Sequence, residues 1–166
     1  RTGNYQMAID VLRDMEKREM KPNTQHYTAA MTACIKGDAA LEALTLFNEM
    51  GKKGVPRNEV TYKEALRACQ RTRQPKLAQE LLSEHQMEAR RGHLNEGPST
   101  QSYNTAMRTS NRSHQWSQTA NIYEMMEKEG VSPDKKTLVL AIAAYQALRI
   151  YPKADILQTK IDQFTE

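Results

Sequence analysis

Cysteine is scarce in this sequence: Cys34 and Cys69 are the only two, and neither forms a CxxC pair or stands beside a histidine cluster. Two isolated cysteines argue against a disulfide scaffold and against a zinc site. Long apolar runs are also missing, since none approaches the roughly 18 residues of a membrane-spanning helix. We therefore expect no membrane span. No targeting segment is recognisable, and the first residue is Arg1.

Short motifs of catalysis are missing as well. The chain has no Gly-rich phosphate loop, no HExxH and no nucleophile elbow. It also lacks the His-x-Glu and Pro-Cys-x-x-Cys motifs of zinc deaminases. Its four histidines are scattered along the chain, at His26, His85, His93 and His114. We predict that the chain is not an enzyme and that it holds no metal, no cofactor and no small-molecule substrate.

Apolar residues are fewer than usual. Hydrophobic types make up 39% of the 166 residues, below the ~45–50% of ordinary globular domains. A low share suits either a disordered chain or a thin, extended fold. The apolar residues of segments 39–50 and 78–82 recur at helical spacing, which favours the thin, extended fold over disorder. The net charge of +4 is mildly basic and compatible with a polyanionic partner.

The sequence repeats itself about every 35 residues, a period typical of helical-repeat proteins. An aromatic column, at spacings of 35, 41 and 35 residues, contains Tyr27, Tyr62, Tyr103 and then Leu138. A column of small residues contains Ala8, Ala43, Ala78, Thr119 and Ala154. Three residues later, a column of aliphatic side chains contains Val11, Leu46, Leu81, Ile122 and Leu157.

Each repeat is predicted to contain two antiparallel helices. The first, helix A, is predicted over 24–36, 60–72, 101–112 and 136–148. The second, helix B, is predicted over 5–19, 38–53, 75–91, 115–129 and 153–164. The small-residue column lets helices pack about 8–10 Å apart, and the aliphatic column is expected to fill the seam between neighbouring pairs. Because one pair cannot bury its apolar face alone, the pairs must stack.

These patterns predict an all-α solenoid, a superhelix of stacked antiparallel helix pairs, as a single domain over residues 1–166. Its units are a half repeat (helix B) at 1–23, repeats at 24–58, 59–99 and 100–134, and a partial repeat at 135–166. The repeat 59–99 is six residues longer than the others. Its helix B is expected to continue to Arg91 and to be followed by a loop at 92–99. This extension is either a loop insertion or a docking site for a partner.

Several segments resemble the pentatricopeptide repeat. Those that resemble its helix B and the following turn are 43–50 (ALTLFNEM) with Gly54 and Pro56, and 120–126 (ANIYEMM) with Gly130 and Pro133. Those that resemble its helix A opening are 60–62 (VTY) and 102–105 (SYNT). The Trp/Leu/Gly/Tyr pattern of the tetratricopeptide repeat is missing. The resemblance covers nearly the whole chain.

This resemblance implies a solenoid of mitochondria or chloroplasts that binds single-stranded RNA, one base per repeat. In the family, the base is read by the residue after the helix A aromatic and by the last residue before the next repeat. By this resemblance, Thr28 with Asn58 is expected to read adenine. Asn104 with Asp134 is expected to read uracil.

Other positions depart from the family pattern. Lys63 with Ser99 matches no usual combination of readers, and Val139 cannot hydrogen-bond a base edge. Two residues before the aromatic, the family prefers an aliphatic side chain that sandwiches the base. The residues at that position here are Gln25, Val60, Gln101 and Lys136, and only Val60 fits.

A basic column lies near the end of helix A, at Arg1, Lys36, Arg71 and Arg112. Stacked repeats would align these side chains into a stripe that could follow a phosphate backbone. Alternatively, each cation only stabilises the C-terminus of its own helix, by about 0.3–1 kcal/mol. The fifth repeat interrupts the column with Ala147.

Three smaller features have expected roles. The run 90–93 (RRGH) is either a contact for RNA or an acidic partner, or solvated surface. Trp116 is expected to pack in the protein rather than to stack on a base. His85, which stands in the column of Met50 and Met126, is expected to be partly buried and to pack in the protein.

Two functions are compatible with these patterns. The first is non-catalytic binding of single-stranded RNA in an organelle, for RNA processing, stability or translation. The second is a scaffold of degenerate repeats that binds protein subunits of an organellar complex, such as a ribosome or a respiratory or photosynthetic assembly. The basic column favours RNA, whereas the interrupted base-reading pattern favours the scaffold.

Overall fold

The computed structural model describes residues 3–163, with side chains from residue 5, and all regular structure in this range is helical. The helices are α1 (Gly3–Lys17), α2 (Thr24–Lys36), α3 (Ala40–Lys52), α4 (Glu59–Thr72), α5 (Pro75–Arg90), α6 (Thr100–Arg112), α7 (Trp116–Lys128), α8 (Lys135–Ala147) and α9 (Tyr151–Gln163). Every predicted helix is present, and its ends lie within two residues of the predicted ends. The predicted all-α fold is confirmed. None of these helices is long and apolar enough to cross a bilayer.

The chain forms two compact units, Arg1–Thr72 and Arg73–Glu166. In the first unit, α1 to α4 each pack on the next helix along the chain, and α2 also packs beside α4. In the second unit, α5 to α9 do the same, with α5 beside α7 and α6 beside α8. These are the neighbours expected of stacked helix pairs, with α2, α4, α6 and α8 as helix A. The predicted repeat boundaries stay a prediction, and the division between the units falls inside the predicted repeat 59–99.

The aromatic and small-residue columns form the core. Their members with at most 2% exposure are Tyr27, Tyr62, Tyr103 and Leu138 in the first column, and Ala43, Ala78, Thr119 and Ala154 in the second. His85, predicted to be partly buried, is fully buried, and so are Met50 and Met126 in the same column. The residue types that recur along the sequence therefore occupy equivalent buried places in successive helix pairs.

Helix B has two buried faces, and burial differs between them at the two ends of the chain. The aliphatic column is buried at Leu46, Leu81, Ile122 and Leu157. Its first member, Val11, is 53% exposed, so the predicted burial of Val11 is wrong. In the column one residue later, the exposed member is instead the last one, Gln158. The buried members of this column are Leu12, Phe47, Leu82 and Tyr123.

This difference identifies what each face contacts. Among the described helices, α1 has no helix A before it and α9 has none after it. Within each unit, the Val11 column therefore faces the preceding helix A, and the Leu12 column faces the following one. In agreement, the ring of Phe47 in α3 meets the ring of Tyr62 in α4, with centroids 5.5 Å apart. The seam toward the next repeat is filled by the Leu12 column and not, as predicted, by the Val11 column.

The turns after helix B confirm the predicted helix stops. Gly54 and Gly130 have φ angles of 66° and 70°. This is the left-handed region, which glycine enters at little steric cost because it has no Cβ. Glu19 occupies the same place after α1, with a φ of 59°. The backbone therefore reverses in the same way after α1, α3 and α7.

Two equivalent tyrosines differ in their hydrogen bonds, and this difference predicts unequal effects on stability. The Tyr27 hydroxyl donates to Glu49 Oε1 at 2.9 Å. The Tyr103 hydroxyl is buried without a hydrogen-bond partner among the residues that the structure describes. In the repeat register, Met125 stands where Glu49 stands in the first unit. Met125 therefore offers no carboxylate to the Tyr103 hydroxyl.

We expect Tyr27→Phe to lower the free energy of unfolding by about 1–3 kcal/mol, because a bond to a charged group is lost. Tyr103→Phe is expected to be neutral or slightly stabilising, because it removes a buried hydroxyl that has no partner. Urea unfolding monitored by circular dichroism measures both variants, and each serves as the matched control for the other. Equal losses in the two variants would contradict the difference between their environments.

Candidate nucleic-acid interface

The exposed side of α2 and the start of α4 border an open groove in the first unit, with a volume of about 820 Å³. The residues that line it are Gln25, Thr28, Ala29, Thr32, Ala33, Lys36, Gly37, Asn58 and Val60. The structure thus brings together the expected readers Thr28 and Asn58 and the two positions, Gln25 and Val60, expected to sandwich a base. Lys36 of the basic column lies at the same groove.

Thr28 and Asn58 differ in how they are held. Thr28 is half-buried, and its hydroxyl donates to the Thr24 carbonyl at 2.7 Å. Asn58 is exposed, and its Oδ1 accepts the backbone N–H of Thr61 at 2.9 Å, which caps the start of α4. The amide nitrogen of Asn58 has no partner among the described residues, and the Thr28 oxygen retains lone pairs. The pair therefore presents one hydrogen-bond donor and one acceptor to the groove.

Asn104 and Asp134 in the second unit are bonded to each other. Asn104 is only 6% exposed, and its Nδ2 donates to Asp134 Oδ1 at 3.0 Å. Its Oδ1 accepts the Thr137 hydroxyl at 2.7 Å. Asp134 is exposed and caps α8, because the same Oδ1 accepts the Thr137 backbone N–H at 2.7 Å. Asp134 therefore lies at the surface, while Asn104 lies behind it.

The ionisation of Asp134 follows from this network. Burial alone would raise its pKa, but hydrogen bonds from the Thr137 backbone and from the Asn104 side chain outweigh it and lower the pKa. Asp134 is therefore a carboxylate that only accepts hydrogen bonds. Its Oδ2 makes no hydrogen bond within the described part of the chain, and this atom is open to a donor outside it.

The second reader position coincides with a helix cap, which the sequence prediction missed. The residues that cap helix A are Asn23, Asn58, Ser99 and Asp134. They have the same spacing as the aromatic column. In each case the backbone N–H of the residue three positions later donates to the side chain of the capping residue. The signal was present as Asn, Ser or Asp followed three residues later by Thr or Ser, at 58–61, 99–102 and 134–137. The column thus has a structural role whether or not it contacts a base.

The basic column lies in the last turns of α2, α4 and α6. Lys36 and Arg112 are exposed, and neither forms an ion pair with a residue that the structure describes. Arg71 Nη1 binds Asp38 Oδ1 at 3.0 Å, in an exposed pair. Arg1 lies outside the described residues. Each described cation is placed both to contact an anion and to stabilise its own helix C-terminus.

The positions that depart from the family pattern also reach the surface. Val139 is 53% exposed, so an apolar side chain occupies the reader position of α8. Lys63 is half-buried, Gln101 and Lys136 are exposed, and Ser99 caps α6. At the reader position, Val139 has no hydrogen-bonding side-chain group and Lys63 only donates, so neither offers the hydroxyl acceptor that Thr28 offers.

The end of α5 and the first residues of the extension form ion pairs within the second unit. Arg90 Nη2 donates to both oxygens of Glu129, at 2.6 and 2.7 Å, and Gln86 donates to the same carboxylate at 2.8 Å. Arg91 and His93 both bind Glu88 at 2.8 Å. The charges of the 90–93 run are therefore balanced by neighbouring carboxylates, which favours a structural role for the extension.

Two further predictions concern aromatic and metal-binding residues. Trp116 begins α7 half-buried, and its ring lies edge-on to His114 with centroids 5.5 Å apart. This contact is consistent with packing. No group of three or more His, Cys, Asp or Glu side chains suited to a metal ion occurs among residues 5–163.

Comparison with known proteins identifies similar chains. Residues 1–166 match the family model described as the pentacotripeptide-repeat region of PRORP. A chloroplastic pentatricopeptide repeat-containing protein of Arabidopsis thaliana is 33% identical over 78 residues, which are 46% of this chain and 10% of that protein. This chain thus spans about a tenth of the length of that relative.

Solved structures show the same fold. The pentatricopeptide repeat domain of Arabidopsis thaliana protein-only RNase P 1, in complex with tRNA, superposes with a TM-score of 0.83 at 14% identity, covering 99% of this chain and 83% of that chain. The maize pentatricopeptide repeat protein PPR10, in complex with an 18-nucleotide psaJ RNA element, gives a TM-score of 0.67 at 14% identity, covering 98% of this chain and 24% of that chain. At these identities the likeness concerns the fold.

Proposed function

Since this chain belongs to the pentatricopeptide repeat family and has its α-solenoid fold, we propose that it is a non-catalytic RNA-binding protein of an organelle, either the mitochondrion or the chloroplast. The observation that carries the proposal is the groove of the first unit, where Thr28, Asn58, Gln25, Val60 and Lys36 lie together. Two of the similar solved proteins were crystallised with RNA, and the curated relative is chloroplastic.

In the first unit, the groove suits an adenine. Asn58 Nδ2 has a hydrogen to donate to a ring nitrogen, and Thr28 Oγ1 has a lone pair to accept from an exocyclic amino group. Adenine presents that combination on its Watson–Crick edge, as cytosine also does, and the family pattern for Thr with Asn favours adenine of the two. Val60 is 46% exposed and offers an apolar surface to one face of the base, and Gln25 offers the methylenes of its side chain to the other. Lys36 is placed to contact a phosphate.

In the second unit, Asp134 rather than Asn104 makes the main contact with the base. The carboxylate of Asp134 accepts the ring N–H that uracil presents, and it repels the ring-nitrogen lone pair that adenine or cytosine presents at the same place. Asn104 is too buried to contact a whole base edge. Its bond to Asp134 instead directs the open oxygen of that carboxylate outward. Asn104 is therefore chiefly a positioning residue, and Asp134 is the contact.

A second candidate function is the protein-binding scaffold. The observation that favours it is the exposure of large apolar side chains on the last two helices, where Val139, Tyr151 and Ile156 are 53%, 56% and 59% exposed. Val139 also interrupts the series of polar readers. A scaffold of this kind would bind protein subunits of a larger organellar complex through exposed apolar side chains.

Binding to labelled single-stranded RNA across a salt titration separates the two candidates, with duplex DNA as the control ligand. Circular dichroism first confirms that the protein is folded. We expect micromolar or tighter binding with a log–log salt slope of about −2 to −3, from three to four phosphate contacts at ~0.7 each. A folded protein that binds no RNA at low salt would instead favour the scaffold.

A change of base preference tests the readers of the second unit. In the double variant Asn104→Thr, Asp134→Asn, the carboxylate is replaced by an amide that can donate, as in the first unit. Asparagine still caps a helix well, so α8 should remain intact. We expect the preference at one base to move from uracil toward adenine by about tenfold, within the ~1–3 kcal/mol of a good base contact.

The measurement is a set of RNAs that differ only at that base, with Asp134→Ser as a control that keeps the cap but has no amide. An unchanged preference in the double variant would contradict base reading at this pair.

A further inference from the structure

The face of α4 that corresponds to the groove-lining face of α2 is basic. The groove-lining residues of α2 include Thr28, Thr32 and Lys36. Their equivalents 35 residues later are Lys63, Arg67 and Arg71. Two neutral hydroxyl side chains are thus replaced by cations. The three cations are four residues apart and form one row along α4, with a rise of about 6 Å per step.

The row is accessible. The side chains of Arg67 and Arg71 are 51% and 50% exposed, and Lys63 is half-buried. A lysine at the reader position has three donors and no acceptor, so it does not complement a base edge that offers both. Phosphate oxygens, in contrast, only accept. Three donors in a row at this spacing match a phosphate backbone better than a base.

Each arginine of the row binds a carboxylate through only one nitrogen of its guanidinium group. Arg67 Nη1 donates to Glu64 Oε1 at 2.9 Å, and Arg71 Nη1 donates to Asp38 Oδ1 at 3.0 Å. The Nη2 and Nε groups of both arginines make no hydrogen bonds with the described residues. A guanidinium has five N–H donors in a planar fork that suits phosphate. The carboxylates therefore orient the forks and leave one side of each available.

Glu64 is an unusual partner because it is buried. It is 5% exposed, its Oε1 is bound by Arg67, and its Oε2 has no hydrogen-bond partner among residues 5–163. A buried carboxylate with so few partners contributes little to stability and can reduce it. Its main consequence is the position that it imposes on the Arg67 guanidinium.

We infer that α4 is a phosphate-binding helix, on which Lys63 and Arg67, next to Arg71, hold the RNA backbone, and that Glu64 positions Arg67 for this contact. The predicted repeat 59–99 then binds the RNA backbone, whereas the predicted repeat 24–58 reads a base. This inference rests on the proposed RNA binding. It adds two contact residues that the basic column does not contain, so the expected log–log salt slope of the unmodified protein steepens to about −3.5 to −4. It also explains why the reader position of α4 carries a lysine.

The double variant Lys63→Gln, Arg67→Gln tests the contact residues. We expect its affinity for every RNA sequence to fall about 20-fold at ~0.1 M salt, and the log–log salt slope to become less steep by about 1.4, from two contacts at ~0.7 each. The matched control is Lys17→Gln, Lys52→Gln, which removes two exposed cations from helix B in the same unit. The control should change affinity less than about twofold, because its cations lie away from the backbone's path.

Wild-type affinity and slope in the Lys63/Arg67 variant, while the unmodified protein binds RNA, would overturn this inference alone. If the unmodified protein binds no RNA, the proposed function is overturned together with it. The two failures are therefore distinguishable in one set of titrations.

Glu64→Gln tests the positioning role. The substitution makes the net charge of +4 more positive by one, so overall electrostatics predicts tighter RNA binding. A positioning role predicts the opposite: affinity about threefold weaker, while the thermal midpoint is unchanged or higher because a poorly paired buried charge is gone. Tighter binding than the unmodified protein would overturn the role of Glu64.

Discussion

Replacing Lys36, Arg71 and Arg112 together by glutamine is expected to weaken binding to every RNA sequence by about a hundredfold at ~0.1 M salt, and to flatten the salt slope by about 2. The reason is that each cation of the basic column is expected to displace one counterion from the RNA backbone, with ~0.7 of slope per contact. Phosphate contacts carry no sequence information, so the loss should be the same for all sequences.

The matched control removes three exposed cations from helix B: Lys17→Gln, Lys52→Gln and Lys76→Gln. Its net charge equals that of the test variant, so a purely global charge effect would weaken both equally. Stability should hardly differ, because among the described residues the test variant loses only the exposed Arg71–Asp38 ion pair, worth under about 1 kcal/mol. Fluorescence anisotropy at several salt concentrations measures affinity and slope. Equal losses in the two variants would remove the basic column from the interface.

Glu49→Gln is expected to lower the free energy of unfolding by about 2 kcal/mol at pH 7 and to reduce its dependence on acid. Arg13 binds both oxygens of Glu49, at 2.6 and 2.7 Å, and Tyr27 and Lys53 donate to the same carboxylate. These bonds, led by those from Arg13, outweigh burial and lower the pKa of Glu49 from 4.5 to about 2. The carboxylate therefore joins α1, α2 and α3.

The direction of the pH effect follows from the lowered pKa. A carboxyl group with a folded-state pKa below its unfolded value stabilises the protein above the unfolded pKa. That contribution is lost as the pH falls from about 4.5 toward 2. The shift alone corresponds to roughly 3 kcal/mol. We discount it because the side chains of Arg13 and Lys53 are 41% and 39% exposed and are screened by solvent.

Urea unfolding at pH 7, 4 and 2.5 measures this contribution. Glu124→Gln is the control: Glu124 binds Lys153 at 2.6 Å and Tyr145 at 3.3 Å, but its side chain is 50% exposed. We expect a loss under about 1 kcal/mol for the control. If Glu49→Gln kept the steep acid dependence of the unmodified protein, the network around Glu49 would not be its source.

The candidate site was predictable in part. The spacing of the columns assigned Thr28 and Asn58 to the reader positions of one repeat, and Lys36 to the basic column of the same repeat. The structure brings all three to one groove. The burial of Asn104 behind Asp134 was not predictable from spacing. It depends on bonds between side chains 30 and 33 residues apart, to Asp134 and Thr137, at distances of about three ångströms. The orientation of Arg67 depends in the same way on the burial of Glu64.

The helices, their order and their repeat register all follow from the amino-acid sequence. Each helix end depends on a few local residues, such as a capping Asp134 or a left-handed Gly54, and each column recurs because the same buried place recurs every repeat. The tertiary structure alone decided which face of helix B meets the next repeat, as Val11 and Leu12 show. It also decided which charges are held by partners, as Glu49 and Arg67 show. The physical reason is that helical periodicity specifies only the side of its own helix on which a residue lies. Whether that residue is buried or paired depends on which side chains of the neighbouring helices lie opposite that side.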